Sequence, residues 1–545
     1  MKGHGIAEGL RATGPAINSI LASSGTAGAA VGVLHHGEII HTAGYGFRDL
    51  DRRLPMDQNS VVSLFSLTKF MTSAAIGSLV DSNSNAASWD STFASLVPGF
   101  RHHNATVQKE TTLRDLLSHR VGLAQYNALF MQDKGRLYLD KSETLNTASA
   151  LPLTAGFREK FQYNNWNYAL AALTTQSLAN LSLGEYLVKH FFEPLEMKNT
   201  TVVRPPDGSS DISEGYMALS SGTPARTERP FAGNDQIMFG AMGVNSCVKD
   251  LLIFYGEALR ACNDQLARKT TSTEGSPFKQ VSTMWSSQIP LPDPSLLERS
   301  YAFGLFRVQL PQPMTSSTMN NGRIPRSQIP VVGKGAKPQL ALYHGGNSAA
   351  SQNWVILLPE TQSAVVVLTN TMANCDAANL IGSMLLEELL ESPEKNDYEE
   401  LSRVAAKAGV EQWHALHASL EKKRVPGTKP KPLEAYTGKY WNHVGNFYIE
   451  VFLDKEGGEL AFCLQGDKSM TYKLHHYNYD VFCWVLTQDE NAATGRFPYT
   501  SEGQWLLRFE GESDAIGGLR WNQNGVKDGE FFHKGEYCKS YLTAN

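Results

Sequence analysis

Hydrophobic positions along the chain change period several times, and each change predicts an element. Apolar residues at helical spacing over 7–22 predict an amphipathic helix. Ala29 to Val33, then His35-His36-Gly37-Glu38, then Ile39 to Gly46 read as strand, turn and strand, a hairpin with glycine at its turn. From Phe65 to Asp81 the chain is apolar on nearly every face and predicts a buried helix. Thr112 to His119 predicts a short helix capped by its threonine. An alanine- and leucine-rich stretch, Tyr168 to Leu181, predicts another helix, and a further one starts at Val248. Tyr301 to Leu310 reads as one strand. Asn353 to Leu358 and Ser363 to Thr369 are near-continuous apolar runs, the pattern of central strands covered on both faces. A long apolar helix over Ala377 to Leu390 follows.

Residues 263–298 and 311–340 break this order. They are rich in Ser, Pro, Gly and Gln and read as long surface loops, which in compact domains often serve as lids. Residues 393–432 are charged and then proline-rich, as in a linker or a docking helix plus linker. From Tyr436 onward, short alternating segments separated by turn residues carry Trp441, Trp484, Trp505 and Trp521, and predict an all-β barrel or sandwich. The expected organisation is therefore a first domain over 1–392, a linker over 393–432 and a C-terminal β-domain over 433–545.

Length and charge narrow the class of protein. A chain of 545 residues exceeds one hydrophobic core, and 42% hydrophobic with 19% charged residues describes a folded protein. The net charge of −5 and the lack of a basic run argue against nucleic acid as a partner. No run of 18 apolar residues predicts a membrane span. Residues 1–18 lack the apolar stretch of an export signal, so a cytoplasmic setting is expected. The six cysteines, Cys247, Cys262, Cys375, Cys463, Cys483 and Cys538, include no C-x-x-C pair, and several sit in apolar runs. They read as buried free thiols rather than disulfides or metal ligands. His414 and His417 share a helical face but have no third ligand in view, so no metal and no cofactor is expected.

Candidate chemistry begins at Ser66-Leu67-Thr68-Lys69. Residues three apart share a helix face, so the hydroxyl and the amine can meet in one pocket. A neutral amine there can take the hydroxyl proton. Free N–H groups at the helix start favour developing negative charge. Two further motifs follow in order, Tyr163-Asn164-Asn165 and His344-Gly345-Gly346.

Together the three motifs resemble the serine β-lactamase and penicillin-binding-protein family, most of all its class C β-lactamase-like esterases, D-aminopeptidases and acyltransferases. Flanking stretches are similar too: Gly44 to Asp49, Leu116-Leu117-Ser118-His119-Arg120-Val121-Gly122-Leu123, Pro194 to Met197 and Gly240 to Gly243. The resemblance covers about residues 10–390 and implies an α+β fold, an antiparallel sheet flanked by helices with a helical subdomain. The stretch from Leu433 resembles the lipocalin-like barrel appended to some members. The resemblance implies Ser66 as the nucleophile forming an acyl-enzyme, with Lys69 and Tyr163 sharing its proton. It implies Asn165 as the group orienting Lys69 and the substrate, and the His344-Gly345-Gly346-Asn347 strand as the substrate-binding edge. The oxyanion donors would be the backbone N–H groups of Ser66 and Asn347. Where true β-lactamases carry lysine, this chain has His344, mostly neutral near pH 7, so a carboxylate-bearing β-lactam loses a fixed cationic partner. The expectation is a serine hydrolase or acyltransferase acting on a small ester, thioester or amide. The alternative is a non-catalytic scaffold or binder that kept the fold. The C-terminal barrel reads either as a packing module or as a binder of substrate or a carrier partner.

Overall fold

The two near-continuous apolar runs lie at the centre of an antiparallel sheet because both of their faces are covered. Among the described residues nine strands form it. Across the sheet they run Leu54–Pro55, Glu38–Asp49, Gly28–His35, Ser363–Thr369, Ser351–Leu358, Gln339–Ser348, Phe306–Leu310, Arg299–Tyr301 and Ile289–Pro290. Every residue of Ser351–Leu358 and Ser363–Thr369 is buried. The register between them pairs Val355 with Val366 and Asn353 with Leu368. On one face lie the helices Gly14–Ser24 and Ala377–Leu389, and on the other Val248–Arg268 and Thr68–Ser82. The computed structural model describes residues 2–83, 86–204, 210–230, 233–454, 458–512, 515–522, 526 and 528–536.

Several expectations change. The helix expected over 7–22 is two helices, Lys2–Ala12 and Gly14–Ser24, because Pro15 lacks the N–H that would continue the first and sits at the start of the second. The single strand expected over 301–310 is two, Arg299–Tyr301 and Phe306–Leu310, joined by a turn closed from the Ala302 N–H to the Leu305 carbonyl at 2.8 Å. Gly304 makes that turn possible. Its φ is +84°, and a Cβ there would lie 2.7 Å from the Phe70 backbone, so only glycine lets the turn press on the nucleophile helix. The stretch 263–298 is not a free loop. The helix from Val248 continues to Arg268, and Phe278 is fully buried.

Most of residues 393–432 form one 25-residue helix, Tyr398–Lys422. Its first half packs on Gly14–Ser24, where the Ser402 and Ser23 hydroxyls lie 2.7 Å apart. Its second half reaches the C-terminal unit, with Trp413 6.0 Å from Trp505 and His417 Nε2 3.0 Å from the Leu486 carbonyl. Eight described strands, from Gly438–Trp441 to Glu530–Lys534, close into an antiparallel barrel. Cys247, Cys262, Cys375, Cys463 and Cys483 are buried free thiols, and Cys538 lies outside the described residues. Among the described residues no helix is long and apolar enough to cross a membrane.

Candidate active site

Ser66 lies in a one-turn 3-10 helix, Phe65–Leu67, which runs straight into the helix Thr68–Ser82. Phe65 adopts φ +49°, a left-handed conformation costly for an aromatic residue. The tight turn lifts the serine out of the buried helix, leaving it partly accessible while Lys69, one turn on, is wholly enclosed. Lys69 is enclosed because its helix is apolar on nearly every side, with Phe70, Met71, Ala74 and Ala75 all buried.

Tyr163-Asn164-Asn165 is the start of the helix Asn165–Ala179. Asn164 is its cap, accepting from the Trp166 N–H at 2.8 Å while its own amide donates to the Leu123 and Ala124 carbonyls. That fastens Tyr163 just outside the helix and Asn165 just inside it. Three separate stretches thereby meet at one hydroxyl. The Tyr163 hydroxyl donates to Ser66 Oγ at 2.8 Å, and Lys69 Nζ lies 3.0 Å from the same oxygen. Lys69 also donates to Asn165 Oδ1 at 2.8 Å and to the Ala241 carbonyl at 3.0 Å. The carbonyl comes from the Phe239–Met242 turn, which can approach because Gly240 lies against the Tyr168 backbone, where a Cβ would meet the carbonyl oxygen at 2.5 Å.

Burial sets the charges. It holds the Lys69 ammonium well below its ordinary pKa, since no carboxylate compensates the lost hydration. Part of Tyr163 reaches solvent, but its surroundings are protein, and burial raises its phenol far above the usual value against the weaker opposing pull of Ser66. Both groups are therefore neutral near pH 7. A neutral amine has two N–H groups, which serve Asn165 and Ala241, and one lone pair, which is left for the Ser66 hydroxyl.

The third motif lies inside the strand Gln339–Ser348, and its strand partner on one side, Phe306–Leu310, ends at the pair Phe306–Tyr343. Beyond that point the strand edge runs against the nucleophile turn. A Cβ on Gly346 would fall 2.1 Å from the Leu64 carbonyl oxygen, so the glycine permits the contact. His344 is fully buried, with Nε2 3.4 Å from the Tyr301 hydroxyl and Nδ1 3.3 Å from Ser317 Oγ. Burial lowers it to about 3, the nearby Lys69 adding to the effect. Its ring stands 5.9 Å from that of Tyr163. Gly345 is buried, and Asn347, half-buried, donates to the Ser317 carbonyl at 3.2 Å while its Oδ1 has no partner among the described residues.

The motif pattern does not reveal what supports Tyr163. His119 is fully buried, 4.5 Å ring to ring from Tyr163 and 5.0 Å from Tyr301, with Nδ1 accepting the Asn164 N–H at 3.1 Å. It belongs to the Leu116-to-Leu123 stretch, whose likeness to the family was the available signal. Ala241 contributes only a backbone carbonyl, and Tyr301 and Ser317 come from stretches without a motif. His414 and His417 take no part in this site. Among the described residues no cluster of three or more His, Cys, Asp or Glu is placed to hold a metal.

A family model described as β-lactamase matches residues 15–389, and one described as a domain of unknown function (DUF3471) matches residues 422–534. The chain is similar to an unguisins hydrolase of Aspergillus campestris, 23% identical over 435 residues, 76% of this chain and 72% of that protein. It is also similar to a D-aminopeptidase of Cereibacter sphaeroides, 24% identical over 234 residues, 42% of each. The octameric penicillin-binding protein homologue from Pyrococcus abyssi shares its fold with a TM-score of 0.55 and 18% identity, covering 94% of this chain and 97% of that one. A class C β-lactamase from Rhodobacter sphaeroides does so at 0.52 and 17%, covering 70% of this chain and 99% of its own. The matched span 15–389 holds Ser66, Lys69, Tyr163 and His344 together with the sheet that assembles them, and the chain belongs to the β-lactamase family.

Proposed function

We propose that this chain is a serine hydrolase or acyltransferase that forms an acyl-enzyme at Ser66 on a small ester, thioester or amide. The observation that carries the reading is the shared hydroxyl, with Ser66 Oγ 3.0 Å from the Lys69 amine and 2.8 Å from the Tyr163 hydroxyl. In this mechanism Lys69, neutral and with its lone pair uncommitted, takes the serine proton as Oγ attacks the acyl carbon. Tyr163 keeps its proton in the resting site, so it serves as a relay, passing its proton to the leaving group as it is resupplied from Lys69. The carbonyl oxygen, negative after attack, is held by the backbone N–H groups of Ser66 and Asn347. Losing one such donor costs about 3–4 kcal/mol of transition-state stabilisation. Water, or an alcohol or amine, then releases the acyl group.

His344 supports esters, thioesters or neutral amides over carboxylated β-lactams. Lowered to about 3, it has no charge to offer a carboxylate at neutral pH. The names of the two curated relatives, an unguisins hydrolase and a D-aminopeptidase, favour hydrolysis over transfer.

A fluorophosphonate probe followed by intact-mass and peptide mapping tests the reading. One adduct on Ser66 is expected, absent in Ser66→Ala although that variant keeps its circular dichroism and melting temperature. An unlabelled wild type, under conditions where a known serine hydrolase reacts, would return the chain to the scaffold alternative.

A further inference from the structure

Beside the nucleophile turn lies a cleft with about 370 Å³ of empty space, part of it open to solvent. Phe65, Phe130, Leu137 and Met242 give it apolar walls, and Phe497 completes it from the C-terminal unit. Phe65 precedes the nucleophile, and Met242 follows the residue whose carbonyl holds Lys69. Tyr163, which faces the leaving group in the proposed mechanism, does not line this cleft. The cleft therefore suits the half of the substrate that stays on Ser66.

One polar side chain, Gln132, lines it. Gln132 is only 2% exposed, and neither its amide nitrogen nor its amide oxygen has a hydrogen-bond partner among the described residues. A buried amide without partners costs free energy, and such groups in native proteins ordinarily have partners. A donor and an acceptor side by side match the C=O and N–H of a secondary amide.

The C-terminal unit also holds Gln132 in place. The adjoining Asp133 is buried and accepts from Arg496 Nη1 at 2.7 Å and from the Tyr472 hydroxyl. On the other side the Tyr499 hydroxyl meets the Met131 sulfur at 3.5 Å. Arg496 and Tyr499 flank the segment that carries Phe497, so one loop both supplies a wall and grips the opposite one.

We propose that this cleft is the acyl-side specificity subsite, built jointly by the two units, and that it takes an apolar, preferably aromatic group attached through a secondary amide, the chemistry of a peptide or an N-acylated amino acid. The proposal rests on Ser66 being the nucleophile. Phe497 and the Phe65–Leu137 walls receive the apolar group, and Gln132 reads the amide.

Three p-nitrophenyl esters test it: acetate, N-benzoylglycinate and 4-phenylbutyrate. The last two have nearly the same length and the same ring and differ in the amide. For the wild type, kcat/KM should rank N-benzoylglycinate above 4-phenylbutyrate and both above acetate. In Gln132→Leu the ratio of N-benzoylglycinate to 4-phenylbutyrate should fall about tenfold or more, because a site built to pair an amide rejects its apolar analogue. In Phe497→Ala, or Phe497→Leu should the smaller residue not fold, both aromatic esters should fall about tenfold relative to acetate. Ratios within twofold of the wild type in both variants, with fluorophosphonate still labelling Ser66, would overturn the subsite and leave the nucleophile standing. A wild type without label at Ser66 would instead overturn the nucleophile, and the subsite with it.

Discussion

At the scale of single residues, the chemistry turns on Lys69, whose charge is decided by burial. Its pKa is held well below the ordinary lysine value by desolvation. Two consequences can be measured. Fluorophosphonate labelling should proceed at neutral pH and decline as pH falls through that lowered pKa. A rate that appears only near the ordinary lysine pKa of about 10.4 would refute a neutral amine. Lys69→Arg should lose about 10²–10⁴-fold in labelling rate, since a guanidinium keeps its proton at any working pH. Stability carries the same signature. Between the lowered folded pKa and the ordinary unfolded one, the unfolded chain binds the proton that the folded chain does not, so unfolding free energy rises with pH across that window and is lost as pH falls. Urea titrations of wild type and Lys69→Met at several pH values between 6 and 10 should therefore diverge, with the wild type gaining on the variant as pH rises. Parallel curves would show that the folded amine is charged.

At the scale of elements, the site is a meeting of a strained turn, a capped helix start and a strand edge. The contact between strand and turn is the least forgiving of the three. Gly346→Ala would place a carbon where the Leu64 carbonyl allows none, so turn and strand must separate. A displacement of about 1 Å at reacting atoms costs about 10²-fold in rate, whereas overpacking costs about 1–3 kcal/mol of stability. The variant should therefore remain folded by circular dichroism and lose about 10²-fold in labelling rate. The individual elements were readable beforehand. The threonine cap at Thr112 is observed as a capping box with Asp115, and the central strands were marked by their unbroken apolar runs. The split at Tyr301–Leu310 was not legible, because the Gly304 turn is required by the distant Phe70 backbone rather than by any local polar signal.

At the scale of the whole molecule, the barrel is fastened to the catalytic body by buried polar contacts. Arg496 and Asp133 are each about 1% exposed in their side chains and pair at 2.7 Å. Gln488 reaches Asn374 at 2.6 Å, the Ser220 N–H reaches Asp489 at 2.7 Å, and Asn446 donates to Glu143 at 2.7 Å. Removing one partner of a buried pair leaves the other charge uncompensated, about 3–5 kcal/mol. Arg496→Met should lose stability on that scale in urea unfolding. Combining it with Asp133→Asn should cost much less than the sum of the two single variants, the coupling expected of groups in direct contact. Additive costs would mean that the pair does not hold the two units together.

The sequence by itself determined the elements and the order of the motifs, because helix caps, apolar periods and an S-x-x-K on one helix face are local properties of a few neighbouring residues. It also pointed to the family, through three motifs whose flanks agree. Tertiary structure alone decided the state of those motifs. Lys69 is neutral because the helix around it is buried on every side, His344 is neutral because it is enclosed with Tyr301 and Ser317, and Tyr163 is backed by His119 from another helix. Nor could any local pattern pair Gln132 with Phe497. The two meet only because the barrel docks against the loop that follows Phe130, and contacts between residues so far apart in the chain are created by packing, which has no period to read.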